Sequence, residues 1–344
     1  MRIALDASYS VGQNLTGIGV YSEKLIGGLL SAHPADRLLL CYRPKQYLRA
    51  VKRDHPHVHR RILQRPFPIG RANLFHALNQ RVDWRPARKV VSTFHDLFVM
   101  TAEYSTPDFR ARFTEQAKRA AANSDLIITV SAFTAEQVSS LLHVERGRIR
   151  VVPHGVEQLQ DTSYQPAREE MILFVGALQA RKNVIRQIEA FERVGGSWRL
   201  VLAGAADGYG GAGILSRIEN SPARDRIELT GHLPHSALNQ LYQRASIFAF
   251  ATLDEGFGIP VLEAMAHGVP VITSNRSALP EVAGDATSLV DPFRVDEIAE
   301  SMKRLIESPS LRAELAERGR ARATLYPWTR AVDETYRVYQ ELLG

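Results

Sequence analysis

The sequence predicts an α/β protein of two doubly wound domains, each a parallel sheet covered by helices on both faces. Three observations carry this. The chain has 344 residues, long for one domain and comfortable for two of about 150–170 residues. Short β-branched or apolar runs alternate with amphipathic helical stretches, the pattern of parallel sheets buried on both sides. One polar stretch, Glu157–Glu170, contains a proline and shows no clean period, so it reads as an interdomain linker. The expected division is residues 1–160, residues 161–325, and a closing helix at 326–344 that returns to the first domain. Two such sheets on one linker would face each other across a central cleft at their carboxyl ends, where this architecture binds ligands.

Taken in order, Arg2–Leu5 is a strand and Gly19–Leu30 a helix. Leu38–Tyr42 and Lys89–Thr93 are strands, and Ser105–Asn123 is a helix. The strand Leu126–Val130, the helix Ala132–Leu142 and the strand Ile149–Val152 complete the first set. The second set has strands at Met171–Val175, Trp198–Ala203, Ile227–Leu229, Ser246–Ala251 and Val269–Thr273, with helices between them.

Composition removes several function classes. With 45% hydrophobic and 23% charged residues, the chain is no disordered segment. A lone cysteine, Cys41, excludes an internally disulfide-bonded scaffold. No apolar run approaches the roughly 18 residues of a spanning helix. Asp6 interrupts the place where a signal peptide is apolar, so a cytoplasmic location is expected. The net charge of +6 is unevenly spread: the first 165 residues hold 23 basic and 14 acidic residues, the rest 20 and 23. Lys45, Arg49, Lys52, Arg53, Arg60, Arg61, Arg65 and Arg71 face only Asp54 within their run. Such a field attracts anionic partners such as lipid headgroups; the alternative is a solvated basic face. The run lacks interleaved aromatics, which argues against nucleic acid.

The stretch Asp254–Pro280 is the most informative. Glu255-Gly256-Phe257-Gly258 forms a glycine-bearing turn after a strand, and Ile259–Ala266 a helix with Pro260 in its first turn and Gly268 ending it. The free N–H groups of that turn make an anion site. Glu255 precedes the helix and Glu263 lies one turn inside it, so two carboxylates bracket the turn, suited to hydroxyls on either side of a phosphate. The alternative is that Glu255 caps the helix and Glu263 faces solvent. Upstream, Gly176 is followed by Arg181, Lys182 and Asn183 at another helix start. Cations there oppose the helix dipole unless an anion is shared between them; the alternative is a solvated loop pair. Lys182 is one of two lysines among 18 arginines in the second half, which suggests a point-charge role.

Thr16-Gly17-Ile18-Gly19-Val20-Tyr21 opens the first helix, its glycines permitting close backbone approach, but it is no dinucleotide fingerprint. His95-Asp96 ends a strand, where an imidazole would bond a substrate, transfer a proton, or simply satisfy local backbone. Alternating His55, His57 and His59 read as a surface strand rather than a metal site. There is no Asp-x-Asp pair in the chain, so a bound diphosphate would need Arg, Lys and helix ends for charge.

Together these stretches resemble the retaining glycosyltransferases of the GT-B fold, family four, nearly end to end and in the family's order. The landmarks are Gly17-Ile18-Gly19-Val20-Tyr21, His95-Asp96, Val130-Ser131, Val152-Pro153-His154-Gly155-Val156, Gly176 with Arg181-Lys182-Asn183, Gly231-His232-Leu233, Glu255-Gly256-Phe257-Gly258 with Glu263-Ala264-Met265, and Leu279-Pro280-Glu281-Val282. The paired-glutamate motif is the most specific. The resemblance implies two Rossmann-like domains. It implies that Glu263 binds ribose hydroxyls of a sugar nucleotide and Glu255 hydroxyls of the donor sugar. Arg181 and Lys182 would hold the diphosphate, supported by Gly17, Gly19, Gly176 and the backbone of Gly256, Phe257 and Gly258. His95 would contact the sugar or assist the leaving group, and Gly231, His232 and Leu233 would lie near the base. Ala177 stands where many members have an arginine.

The expected activity is metal-independent retaining transfer from a nucleotide diphosphate sugar, with GDP-mannose as first donor, to a polysaccharide or lipid-linked glycan acceptor, with peripheral contact to an anionic membrane and no cofactor. A sugar-nucleotide epimerase, which would work without acceptor, and a non-catalytic nucleotide-binding module are the alternatives.

Overall fold

The computed structural model describes the whole chain except residues 13–14, 16, 51–54, 66–68 and 159–166. The chain forms two compact units: Met1–Thr101, Pro107–Gly155 and Trp328–Gly344 in one, Ala102–Thr106 and Val156–Pro327 in the other.

The first unit runs β1 (Arg2–Asp6), α1 (Gly17–Ala32), β2 (Arg37–Tyr42), α2 (Pro44–Arg49), β3 (Val58–Ile62), β4 (Leu74–Ala77), β5 (Val90–Phe94), α3 (Phe98–Thr101), α4 (Pro107–Asn123), β6 (Leu126–Thr129), α5 (Ala132–Leu142) and β7 (Ile149–Val151). The strands form one sheet, in the order β3-β2-β1-β4-β5-β6-β7, and its pairs are parallel. Successive residues of a strand point to opposite faces. Ile3 and Leu5 therefore enter one apolar core with Leu25 and Leu29 of α1, while Ala4 enters the other with Ala117 and Ala121 of α4.

The second unit runs β8 (Glu169–Val175), α6 (Val184–Glu192), β9 (Arg199–Ala203), α7 (Gly211–Glu219), β10 (Ile227–Gly231), α8 (His235–Arg244), β11 (Ala245–Phe250), α9 (Ile259–Ala266), β12 (Val271–Ser274), α10 (Leu279–Ala283), β13 (Thr287–Val290), α11 (Val295–Glu307) and α12 (Pro309–Ala323). Its sheet has the order β10-β9-β8-β11-β12-β13, again parallel. The last helix, α13 (Trp328–Leu343), belongs to the first unit. It packs on α1 so closely that a Cβ added at Gly28 would lie 2.3 Å from Val332 Cγ2.

Several boundaries differ from the sequence expectation. Helix α1 starts at Gly17, two residues early. Strands β4 and β13 escaped sequence reading. The linker ends before Glu169: Glu169 and Glu170 open β8, and the Arg168 guanidinium donates to the carbonyls of Ala245 and His267. Most of the rest of that linker, with Lys52, Arg53 and Thr16, lies outside the described residues. Of the three alternating histidines, His59 sits on a strand, β3, and is exposed there, whereas His55 and His57 lie in the turn that precedes it, so the three share no strand face. No helix among the described residues is long and apolar enough to cross a membrane.

Candidate active site

In the second unit, three loops at the carboxyl ends of β8, β11 and β12 are tied together by backbone. After β8 the chain turns at Gly176 (φ 142°), passes a single 3-10 turn at Ala180–Lys182 and enters α6 through Asn183. Asn183 adopts φ 57°, a left-handed conformation that asparagine tolerates better than most residues. Its buried amide donates to the carbonyls of Ala251 and Pro292, at 2.9 and 2.7 Å, which fixes the loop to the end of β11. The Leu253 N–H donates to the Arg181 carbonyl at 2.8 Å, and the Ala278 N–H to the Glu255 carbonyl at 3.2 Å.

This stitching brings Arg181, Lys182 and Glu255 together. Lys182 Nζ donates to Glu255 Oε1, and Arg181 Nη1 lies 3.1 Å from the same oxygen. Lys182 also stands 4.8 Å from the centre of the Phe250 ring, a cation–π contact. Lys182 and Glu255 are both 7% exposed. Burial pushes the Glu255 carboxyl up, but the Lys182 and Arg181 charges outweigh it and hold it below the ordinary range. The anion that the Arg-Lys pair requires is thus supplied within the chain. A Cβ added at Gly176 would lie 3.8 Å from Lys182 Nζ, so that turn and the ammonium are neighbours.

Helix α9 starts at Gly258 (φ 98°) as N-cap, with Pro260 in its first turn. The backbone of Gly256 and Phe257 approaches this N-terminus. Phe257 is buried edge-on against Tyr326 at 5.9 Å. Glu263, one turn along, is half-buried. Its Oε2 accepts from Tyr242 Oη at 2.9 Å, and burial raises its carboxyl despite that bond. So Glu255 is an ion-pair partner rather than a simple cap, and Glu263 is not freely solvated. Gly231, the last residue of β10, takes φ 68° and is followed by exposed His232 and half-buried Leu233.

The remaining expected residues lie in the first unit. Gly17 is exposed at the start of α1, and Gly19 is buried, its Cα facing the Tyr9 carbonyl. His95 is buried after β5. Its Nε2 lies 2.8 Å from the Leu78 carbonyl, which can only accept, so Nε2 carries the proton. Nδ1 then accepts from His154 Nε2, 3.2 Å away. Burial depresses His95 to about 4, the Leu78 bond offsetting a little. The ring is neutral near pH 7 with both nitrogens engaged, an arrangement for hydrogen bonding rather than for delivering a proton.

Sequence reading passed over Tyr242 and His76. Tyr242 lies on the buried face of α8 with nothing but helical period to mark it. His76 lies in the unrecognised β4 and bridges Thr93 Oγ1 (2.8 Å) and Tyr339 Oη (2.6 Å). Among the described residues no group of three or more His, Cys, Asp or Glu is placed to hold a metal ion.

Comparison with known proteins places the chain in a family. Residues 23–158 match the model described as Glycosyltransferase Family 4, and residues 157–322 that described as Glycosyl transferases group 1. The chain is 27% identical to the O-antigen chain mannosyltransferase B of Escherichia coli, over 95% of this chain and 97% of that one. It is 31% identical to the MMP alpha-(1->4)-mannosyltransferase of Mycolicibacterium hassiacum, over 67% of this chain and 58% of that protein. Its fold is similar to that of sucrose-phosphate synthase from Thermosynechococcus elongatus, with a TM-score of 0.80, 21% identity and 99% of each chain covered. It is also similar to Anabaena HepE in complex with UDP and glucose, with a TM-score of 0.76, 16% identity, and 99% and 100% covered. With a family 4 domain followed by a group 1 domain on two parallel-sheet units, the chain is a glycosyltransferase of the GT-B fold.

Proposed function

We propose that this glycosyltransferase transfers mannose from GDP-mannose to a growing polysaccharide or lipid-linked glycan, with retention at the anomeric carbon and without a metal ion. The observation that carries the reading is the cluster of buried Lys182 and Glu255 with half-buried Arg181, beside a glycine turn that opens α9. Breaking a sugar–diphosphate bond builds positive charge on the sugar and negative charge on the departing phosphate. Two fixed cations and a helix N-terminus meet the second charge without reorganisation. A donor diphosphate would share these cations with Glu255, whose carboxylate then accepts sugar hydroxyls. Glu263 takes the ribose. His95 stays neutral and would meet the sugar by exchanging its His154 bond for one from a substrate hydroxyl to Nδ1. The names of two relatives, both mannosyltransferases, support mannose as the sugar.

The test is thermal-shift titration with GDP, UDP and ADP, alongside Lys182→Ala. A shift with GDP alone, lost in the variant, is expected. A shift with another base moves the donor assignment, and no shift with any of them removes the reading. Turnover with GDP-mannose should survive EDTA, and the product should keep the α configuration by NMR. Lys182→Ala should slow transfer on the order of 10²-fold.

A basic membrane-facing surface belongs to the same reading. Lys45, Leu48 and Arg49 are exposed on α2, Leu48 to 85%, an apolar tip flanked by cations. Vesicle flotation should show salt-sensitive recovery on anionic liposomes; equal recovery on neutral ones would refute it.

A further inference from the structure

We infer that Tyr242 is the positioning residue for Glu263, and through it a determinant of selection for nucleotides that carry both ribose hydroxyls. The inference rests on the proposed ribose-binding role of Glu263. Glutamate reaches its carboxylate through three torsions, and Glu263 is only half-buried, so nothing in its own stem fixes the direction of its oxygens. Tyr242 does. Its ring is 1% exposed on α8, and its hydroxyl has one proton and two acceptors in reach. Glu263 Oε2 lies at 2.9 Å and the Pro260 carbonyl at 3.5 Å. The nearer, charged acceptor takes the proton.

The phenol cannot swing away. The ring stacks on His267 at 5.1 Å and 24° and leans on Phe248 at 5.8 Å. His267 is fixed in turn, its Nδ1 2.9 Å from the Glu263 carbonyl. That carbonyl only accepts, so Nδ1 is the protonated nitrogen and the imidazole is locked to α9 itself. Tyr242 therefore joins two helices that each follow a candidate ligand turn. Helix α8 follows Gly231–Leu233, and α9 follows Gly256–Gly258. With Oε2 held from the protein side, the rest of the carboxylate is presented in one orientation, which matches a vicinal pair of hydroxyls better than a single one. Removing the phenol oxygen frees that orientation while keeping the ring, and so its packing.

The experiment is calorimetric titration of the purified chain and of Tyr242→Phe with GDP and 2′,3′-dideoxy-GDP, the UDP pair run alongside. Glu263→Gln and the double variant are carried through. Wild type should bind the diol form at least about tenfold tighter than the dideoxy form. In Tyr242→Phe the diol affinity should fall about three- to tenfold and the dideoxy affinity should not change. The KM for donor should rise with kcat held. In the Glu263→Gln background, Tyr242→Phe should add nothing further. Equal weakening of both forms would make Tyr242 a packing residue and overturn the inference, as would a wild-type ratio retained in Tyr242→Phe. Failure of the ribose reading itself looks different: wild type would then not distinguish the two forms, or Glu263→Gln would keep the full ratio, and the inference would fall with it.

Discussion

Lys182, Arg181 and Glu255 are coupled tightly enough that no one of them can be removed cleanly. Lys182 and Glu255 are both buried and share an ion-paired hydrogen bond. Breaking a buried pair from one side leaves an uncompensated charge and costs about 3–5 kcal/mol, more than removing both members. Lys182→Met should therefore destabilise the second unit by about 2–4 kcal/mol, discounted because Arg181 still faces the carboxylate. Adding Glu255→Gln should recover part of that loss in urea unfolding, and strict additivity of the two substitutions would refute the coupling. The buried histidines of the first unit make a second residue-scale case. Burial lowers His76 to about 3 and His95 to about 4, and lowers His154 well below its ordinary value. A folded-state pKa below the unfolded value of 6.5 means that the unfolded chain binds the extra proton first. Their stabilisation is whole above pH 6.5 and is lost as pH falls toward 4, each histidine adding up to about 1.4 kcal/mol per pH unit to the slope. Unfolding free energy measured from pH 7.5 to 4.5 should fall steeply below 6.5, and His95→Gln should flatten the fall. A pH-independent midpoint would mean that these rings are not buried neutral.

At the scale of elements, what was legible in the sequence is what local chemistry dictates. Helix α9 was expected at Ile259–Ala266 and is observed there, because Gly258, Pro260 and Gly268 each serve a backbone demand that few other residues meet. Strand β4 was not legible. It is only four residues, Leu74–Ala77, and carries His76 at a fully buried position. That histidine reads as polar until Thr93 and Tyr339, supplied from far along the chain, are in place. Strand β13 hid for a similar reason, its Ser288 being buried against Ser301. Sequence reading likewise found the two glutamates and the Arg-Lys pair but not that Glu255 is the pair's own counter-ion, a contact across 73 residues. The glycines of the two loops make the element-scale prediction. Gly258 has φ 98°, and an added Cβ would meet Leu279 Cδ2 at 2.6 Å, whereas Gly17 has open space around its Cα. Gly258→Ala should cost about 1–3 kcal/mol and abolish the nucleotide-induced thermal shift by displacing the turn. Gly17→Ala should change stability by less than about 0.5 kcal/mol, so any loss of donor affinity it causes reports contact with ligand. Equal stability of the two variants by urea titration would contradict the turn geometry.

At the scale of the whole molecule, the chain passes between its units four times, and the last crossing has an energetic consequence. After Pro327 it returns to the first unit as α13, which buries Val332, Val338 and Tyr339 to 4% exposure or less. These join the core beneath α1, and Trp328, Tyr336, Leu342 and Leu343 pack against its rim. Burying a large apolar side chain contributes about 1.5–3 kcal/mol, so the three buried residues alone supply roughly 5–9 kcal/mol. That is the size of a typical domain's entire stability. The polar inventory points the same way: Tyr339 satisfies the buried His76 ring, and Tyr336 donates to Asp36 at 2.8 Å. The first unit thus draws part of its core from α13 and should lose most of its stability without it. The second unit lies wholly before that helix, and its closing contact, the Val156 N–H on the Tyr326 carbonyl at 2.8 Å, survives truncation. A chain ended at Pro327 should therefore show first-unit peptides released within minutes of limited proteolysis, while a fragment from about residue 156 to 327 resists. Tyr339→Phe in the full chain should cost about 1–3 kcal/mol in the first unit only, leaving a nucleotide-induced shift of the second. First-unit peptides as resistant in the truncated chain as in the full one would show that α13 is an appendage and that the first unit holds its core without it.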